Sequence, residues 1–285
     1  MGGYTTGLVN TIQYITISTL GNAVDFGDRT VTGSGATFSS ITRGVSGGKH
    51  APSYVDTVDY ITIASTGNAI DFGNMTINRA RGAGISNQIR GIIGGGYDAP
   101  AQKDVIDYCT IAATGNFVDF GDLATAVEGP GGCASPTRGI FVGGNSDGTG
   151  SGGINVISYV TIATTGNPTD FGDSTVASDM QACMSNATRG LIGGGYVSPA
   201  ALNTISYMTI STLGNSIDFG DMSVARYIRG SITDPTRGVW AGGAGPASDV
   251  IDYVTIATQG NATDFGNLTA AMSTYGGAST GHGGL

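Results

Sequence analysis

Charge is scarce in this chain: only 12% of its residues are Asp, Glu, Lys or Arg. Within that small set the long charged side chains are almost missing, with Glu128 the single glutamate and Lys49 and Lys103 the only lysines. There is no basic run and the formal net charge is −9. The clustered positive footprint that nucleic acid requires is therefore absent. His50 and His282 are the only histidines, and neither lies beside a nucleophile elbow or a metal-ligand spacing, so catalysis has little to work with. Cys109, Cys133 and Cys183 are an odd trio without Cys-x-x-Cys spacing. They read as small buried apolar residues of a protein made in a reducing compartment. No apolar run reaches the ~20 residues of a membrane-spanning helix. "MGGYTTGLVN" lacks the basic region of a secretory signal. No stretch sustains a 3.6-residue apolar period, so helices should be nearly absent.

Glycine is in excess, with 50 in 285 residues, and it recurs in register. The reason is an internal repeat. Asp-Phe-Gly occurs six times, at Asp25, Asp71, Asp119, Asp170, Asp218 and Asp264, spaced by 46, 48, 51, 48 and 46 residues. A tyrosine stands 11 residues before each, at Tyr14, Tyr60, Tyr108, Tyr159, Tyr207 and Tyr253. Upstream of the tyrosine lies Thr-Arg-Gly or a relative, giving Arg43, Arg90, Arg138, Arg189 and Arg237. His282 of the closing "GHGGL" occupies the sixth such place, and that phrase followed by the opening "MGGY" reads as a degenerate copy of "TRGLIGGGY" (188–196).

Each unit offers four short strands. "VIDYVTIAT" (250–258) is β-branched and aromatic, "TRGLIGG" stops at glycines, "NATDFGN" (261–267) ends in a turn, and small-residue runs such as "QACMS" (181–185) precede each Thr-Arg-Gly. Four strands repeated about every 47 residues fit a propeller blade. The expectation is all-β: one domain over residues 1–285, a six-bladed β-propeller of four-stranded blades. The last blade is expected to be closed by N- and C-terminal strands, removing an open sheet edge.

The repeated motifs read as structural. The Asp-Phe-Gly triplet lacks the companions of a kinase site. Its Phe is expected to pack between blades, its Gly to turn, and its Asp to accept backbone N–H bonds. The set Asn116, Asp119 and Asp122 falls short of a calcium loop's acid ladder and reads as an Asx-bonded turn. No metal or cofactor is expected. The arginine ring, Arg43, Arg90, Arg138, Arg189 and Arg237 with His282 sixth, is expected to pair with the Asp-Phe-Gly aspartates; the alternative is a cationic channel mouth for an anionic group.

Length variation concentrates between the di-glycine and the (Asp/Ser)-Tyr, in connections that should emerge on one face and carry function. Tyr4, His50, Tyr54, Tyr97 and Tyr196 punctuate that rim, placed to stack on sugars, to anchor a protein, or to cover blade edges.

With Gly95-Gly96, Tyr108 and Phe120, and with "VARY" (224–227), the repeat resembles the kelch pattern, carrying Phe where kelch repeats commonly have Trp. The phrase running from Thr-Arg-Gly through Gly-Gly-Gly to Tyr-Val-Thr-Ile-Ala-Thr and Asp-Phe-Gly resembles repeats of structural proteins from marine bacteriophages, cyanophages above all. That resemblance implies a non-enzymatic virion component of a tail or fibre, made in the host cytoplasm and able to oligomerise. Its partners would be other virion proteins or a host-surface glycan or receptor. A carbohydrate-binding lectin is the alternative, and an enzyme with an axial site ranks last.

Overall fold

The short β-branched and aromatic runs become strands, and the glycines that punctuate them become the places where the chain turns. A computed structural model describes residues 1–33, 35–49, 53–227, 230–274 and 276–285, and no helix occurs among them. The all-β chain is arranged as a β-propeller.

The first blade is an antiparallel meander of Ala36–Ser39, Arg43–Lys49, Val55–Thr62 and Ile70–Asn74. The second runs Ala83–Ser86, Arg90–Gly94, Ala101–Thr110 and Val118–Val127. Gly131–Ala134, Arg138–Val142, Val156–Thr161 and Thr169–Asp173 form the third. Ala182–Ser185, Arg189–Gly193, Thr204–Thr209 and Ile217–Asp221 form the fourth. The fifth has Ser231–Thr233, Arg237–Ala241, Ser248–Thr255 and Thr263–Thr274, with Gly3–Tyr4 and Leu8–Val9 added at its outer edge. In every blade the small-residue strand is innermost and the Asp-Phe-Gly strand belongs to the outer side.

The remaining unit is thinner. Thr11–Tyr14 pairs with Val24–Asp28 as a two-stranded sheet. Residues 276–279 take the place of an inner strand without being one: the Ser39 hydroxyl donates to the Ser279 carbonyl (2.8 Å), and the Thr233 amide donates to the Ser279 hydroxyl (3.2 Å). The expected closure of a sixth four-stranded blade by terminal strands is not what is found: 276–279 is not a strand, and the first N-terminal strands join the fifth blade.

Second strands stitch neighbouring blades together. Their two apolar residues point opposite ways, so that Ile92 joins the cluster shared with blade three while Ile93 joins the cluster shared with blade one. Leu191 and Ile192 divide in the same manner. All six Asp-Phe-Gly phenylalanines are buried as expected, each edge-on to the tyrosine 12 residues earlier at 5.9–6.2 Å between centroids.

The outer seam repeats all the way round. The amide of Asp28 donates to the Asn68 carboxamide of the next unit, and five equivalent bonds follow, ending with the Asn267 amide on Asn22. The expectation for the aspartates is corrected here. Asp25, Asp71, Asp119, Asp170, Asp218 and Asp264 point to solvent, and the asparagine three residues earlier does the accepting. Asn116, Asp119 and Asp122 accordingly do not gather round one point, because Asn116 is spent on the neighbouring blade.

Candidate functional site

The arginine ring exists, but not with the expected partners. Each guanidinium lies over the tyrosine of its own blade: Arg43 on Tyr60, Arg90 on Tyr108, Arg138 on Tyr159, Arg189 on Tyr207 and Arg237 on Tyr253, at 4.3–5.0 Å from the ring centre. Each also donates through Nη1 to an isoleucine carbonyl of the following unit, at Ile111, Ile162, Ile210, Ile256 and Ile17, over 2.7–3.1 Å. The planar cation thus finds a π face and a carbonyl dipole, and among the described residues none of the five forms an ion pair with a carboxylate. Arg138→Ala should lower stability by about 1–3 kcal/mol, with Arg138→Lys in between, since lysine keeps the charge but not the plane. Thermal unfolding checks this, and an unchanged Tm in both variants would refute it.

His282 is not the sixth member of that ring. The tail 281–285 turns into the propeller axis, where His282 Nε2–H donates to the Ser39 carbonyl (2.8 Å) and the Gly284 amide donates to Nδ1 (3.1 Å). An axial cavity of about 90 Å³ lies there, lined by the inner strands together with Gly277, Ser279 and His282. Small residues let the tail in: a side chain at Gly283 would meet the carbonyls of Ala134 and Asn186 at 2.4 and 2.3 Å.

Burial holds the His282 imidazole below its usual pKa, against the raising effect of the Ser39 carbonyl. The unfolded chain therefore takes up the proton first, and stability that is intact above about pH 6.5 falls as pH drops through that value toward the folded pKa. Hydrogen exchange of residues 281–285 should be faster at pH 5.5 than at pH 7.5 after correction for intrinsic rates. His282→Gln should flatten that difference. The three cysteines are buried and free, and burial pushes the thiols of Cys109 and Cys133 up to about 12, so both stay protonated at neutral pH.

The loop face gathers some of the expected rim residues. Tyr54 and Tyr97, from the loops of blades one and two, meet edge-on at 5.6 Å. Tyr196 meets Tyr227, the last residue of the Val-Ala-Arg-Tyr phrase, at 5.4 Å. Tyr4 stands apart and is exposed. His50 lies outside the described residues. Arg81, held at φ +60°, bonds Glu128 at 2.7 Å beside the first tyrosine pair. Burial raises the Tyr54 phenol, opposed by nearby Arg81 and supported by Tyr97, Glu128 and Asp98. The glycine-rich loop of blade three is ordered by its own Asx bonds, Asn145 accepting from the Asp147 and Gly148 amides. Arg81 and Glu128 were legible only as a lone Glu and an extra Arg. What joins them is the neighbouring positions of two successive blade-to-blade connections.

A larger cavity, about 460 Å³, lies between 276–279 and Thr11–Tyr14, with Ile12, Tyr14, Phe26, Ile61, Val239 and Ile251 among its walls. It opens to the surface, so it is not an enclosed void of the core. It is a space that solvent or a ligand fills, not a packing flaw.

Family models and curated proteins alike offer no match to the chain.

Proposed function

We propose that the chain is a six-unit β-propeller serving as a non-enzymatic binding and structural module of a phage virion. Its loop face makes the contact with a host-surface glycan or a neighbouring subunit. The six-unit count is supported by the outer seam, in which six asparagine bonds run from unit to unit and return to Asn22. The virion assignment rests on the resemblance of the repeat phrase to marine phage structural proteins.

The observation that carries the binding face is the pairing of rim aromatics. Two tyrosine pairs drawn from different blades sit where the chain is also locally strained, at Arg81 and Met180 with positive φ. Strain of this kind persists where surrounding structure over-determines it, and it clusters at functional positions. Paired phenols combine an apolar body with a polar tip, suiting a sugar ring or a polar protein surface. Asp98 and Glu128 beside the first pair supply acceptors for sugar hydroxyls, which favours the lectin reading as second. An axial enzyme is the weakest reading, because the axial wall is mostly Ser, Thr, Gly, Ala and buried thiols, His282 is bonded to the Ser39 carbonyl, and no carboxylate is among the described lining residues.

Mass photometry of the purified chain with and without host-envelope polysaccharide tests this. A monomer that gains mass with polysaccharide, and loses the gain when Tyr97 and Tyr196 become Ala, supports glycan contact. A discrete oligomer indifferent to polysaccharide supports the subunit role. A monomer unaffected by either polysaccharide or concentration counts against both.

A further inference from the structure

We infer that the loop face carries one continuous glycan track across blades two, three and four, from Tyr97 to Tyr196, whose ligand is a linear chain of neutral sugars and not a single terminal residue. This deepens the loop-face reading above and rests on it.

The track has an aromatic post at each end, and the two posts are built alike. In blade two a short hairpin sets Tyr97 against Gln102, and in blade four another sets Tyr196 against Ala201. The Tyr97 amide donates to the Ala80 carbonyl and the Tyr196 amide to the Asp179 carbonyl, both at 2.8 Å, which ties each post to the connection entering its own blade. Each ring is then steadied edge-on by a tyrosine from a different connection, Tyr54 or Tyr227. An edge-on pair leaves ring faces that the partner does not cover, and Tyr97 and Tyr196 are both half-buried.

The loop of blade three, residues 145–153, joins the posts. A Cβ at Gly148 would lie 2.8 Å from Gln102 Nε2 of one hairpin, and a Cβ at Gly150 would lie 3.7 Å from Tyr196 Cε1 of the other. The loop therefore touches both neighbours, and at each junction it has glycine, with φ of +71° and +79°. No side chain rises there to separate one post from the next. Blades are sheets packed face to face at about 10 Å per layer, so two layers put about 20 Å between the posts. A single sugar ring cannot span that distance, whereas a chain can.

Side-chain chemistry selects the chain. A tyrosine offers an apolar body to the C–H face of a pyranose and a phenol to its hydroxyls. Between the posts Asp147, Thr149 and Ser151 are exposed, and the Asp147 carboxylate accepts from the Thr149 amide and hydroxyl at 2.8 Å. Such groups exchange hydrogen bonds readily with sugar hydroxyls. The carboxylates on the track, Asp98 and Asp147, would oppose an anionic chain, and Glu128 beside it is already bonded to Arg81. None of the segments 97–102, 145–153 and 196–201 carries Trp, Arg or Met, which with Tyr anchor protein interfaces. That favours a glycan over a protein partner.

The test is calorimetric titration of the full chain with linear gluco-, galacto- and manno-oligosaccharides of one, two, four and six units. Alginate hexamer serves as the anionic control, and hydrogen exchange maps the complexes. At least one neutral series should bind, tightening tenfold or more from two units to six as the second post engages. Segments 97–102, 145–153 and 196–201 should gain protection together. Tyr97→Ala and Tyr196→Ala should each weaken hexamer binding about tenfold. Gly150→Asn, a residue that tolerates this φ, sets a side chain against Tyr196 and should weaken the hexamer similarly with Tm unchanged. Affinity independent of length, protection of one loop alone, tighter binding of alginate, or no binding of any neutral chain would overturn the proposal. Protection of one loop by sugar, or of all three by raised protein concentration alone, leaves the loop-face reading standing as a single-sugar site or a subunit contact. No protection anywhere on that face under either condition removes both.

Discussion

Gly73→Ala is expected to destabilise the protein by about 4–6 kcal/mol, and Gly115→Ala by only about 1–3 kcal/mol. The two glycines face each other across one blade seam and share the same backbone problem. Gly73 has φ +145° and Gly115 φ +155°, a region that L side chains avoid, so each alanine meets a similar strain. They differ in the space around them. A Cβ at Gly73 would lie 2.4 Å from the Gly115 carbonyl oxygen and 2.5 Å from its carbon, both backbone atoms that cannot swing aside. A Cβ at Gly115 would meet nothing within 4 Å. Relieving the clash means opening a seam that also holds the Gly115 amide on the Phe72 carbonyl (2.8 Å), the Asn74 amide on Asn116 (3.1 Å) and the Phe117 amide on the Asn74 carbonyl (2.8 Å). Each such bond is worth about 1 kcal/mol net. Urea unfolding of the two variants reads the difference. Equal losses would show that backbone strain alone, and not the close approach, makes this glycine of the Asp-Phe-Gly triplet indispensable.

The sequence carried the repeat, the all-β class and the propeller, because Tyr, Phe and Gly recur at fixed spacing and each has one physical job. It carried the burial of the phenylalanines and cysteines for the same reason. It misled where charge was used as the guide to partners. Charge alone pairs Arg138 with aspartates, yet a guanidinium is also satisfied by a ring face and a carbonyl, neither of which shows as a charge. The solvent-facing Asp119 and its equivalents are what remained. His282 fitted the repeat phrase by position, but the glycines around it let the tail fold into the axis, a choice set by space that only three dimensions reveal. The tyrosine pairs needed loop geometry, since Tyr54 and Tyr97 lie on different blades. One signal was present and unread. The residue before each repeat tyrosine varies, being Gln13, Asp59, Asp107, Ser158, Ser206 and Asp252, and its partner varies with it.

That covariation supports the second large effect: Asp107→Ser should cost about 3–5 kcal/mol, and adding Arg79→Val should restore most of it. Arg79 and Asp107 are both buried and bonded at 2.7 Å, as are Arg226 and Asp252, with Arg29 and Asp59 at 3.2 Å. Val127, Ser178, Arg226 and Met272 occupy the place of Arg79, each lending its carbonyl to a glycine amide in the loop of the preceding blade, as Arg79 does to Lys49. Where the third strand carries Ser158 the position equivalent to Arg79 holds Val127, where it carries Ser206 that position holds Ser178, and Gln13 meets Met272 at 3.9 Å. An acid is therefore found with an arginine, and a neutral residue with a neutral one. Removing the carboxylate alone leaves a guanidinium out of water with only the Gly95, Val105 and Ile93 carbonyls for company, and its Nε has no partner even now. Burial already holds the Arg79 pKa down, with Asp107 the group that opposes the fall, so the loss of Asp107 removes the main support for the charge. The double variant copies the pair that blade three uses, taking charge and counter-charge away together. A double-mutant cycle measures the outcome. A coupling of about 2–3 kcal/mol in favour of the matched pairs is expected. Simple additivity would mean that the arginine is held by the carbonyls alone and that the acid's recurrence beside it has another cause.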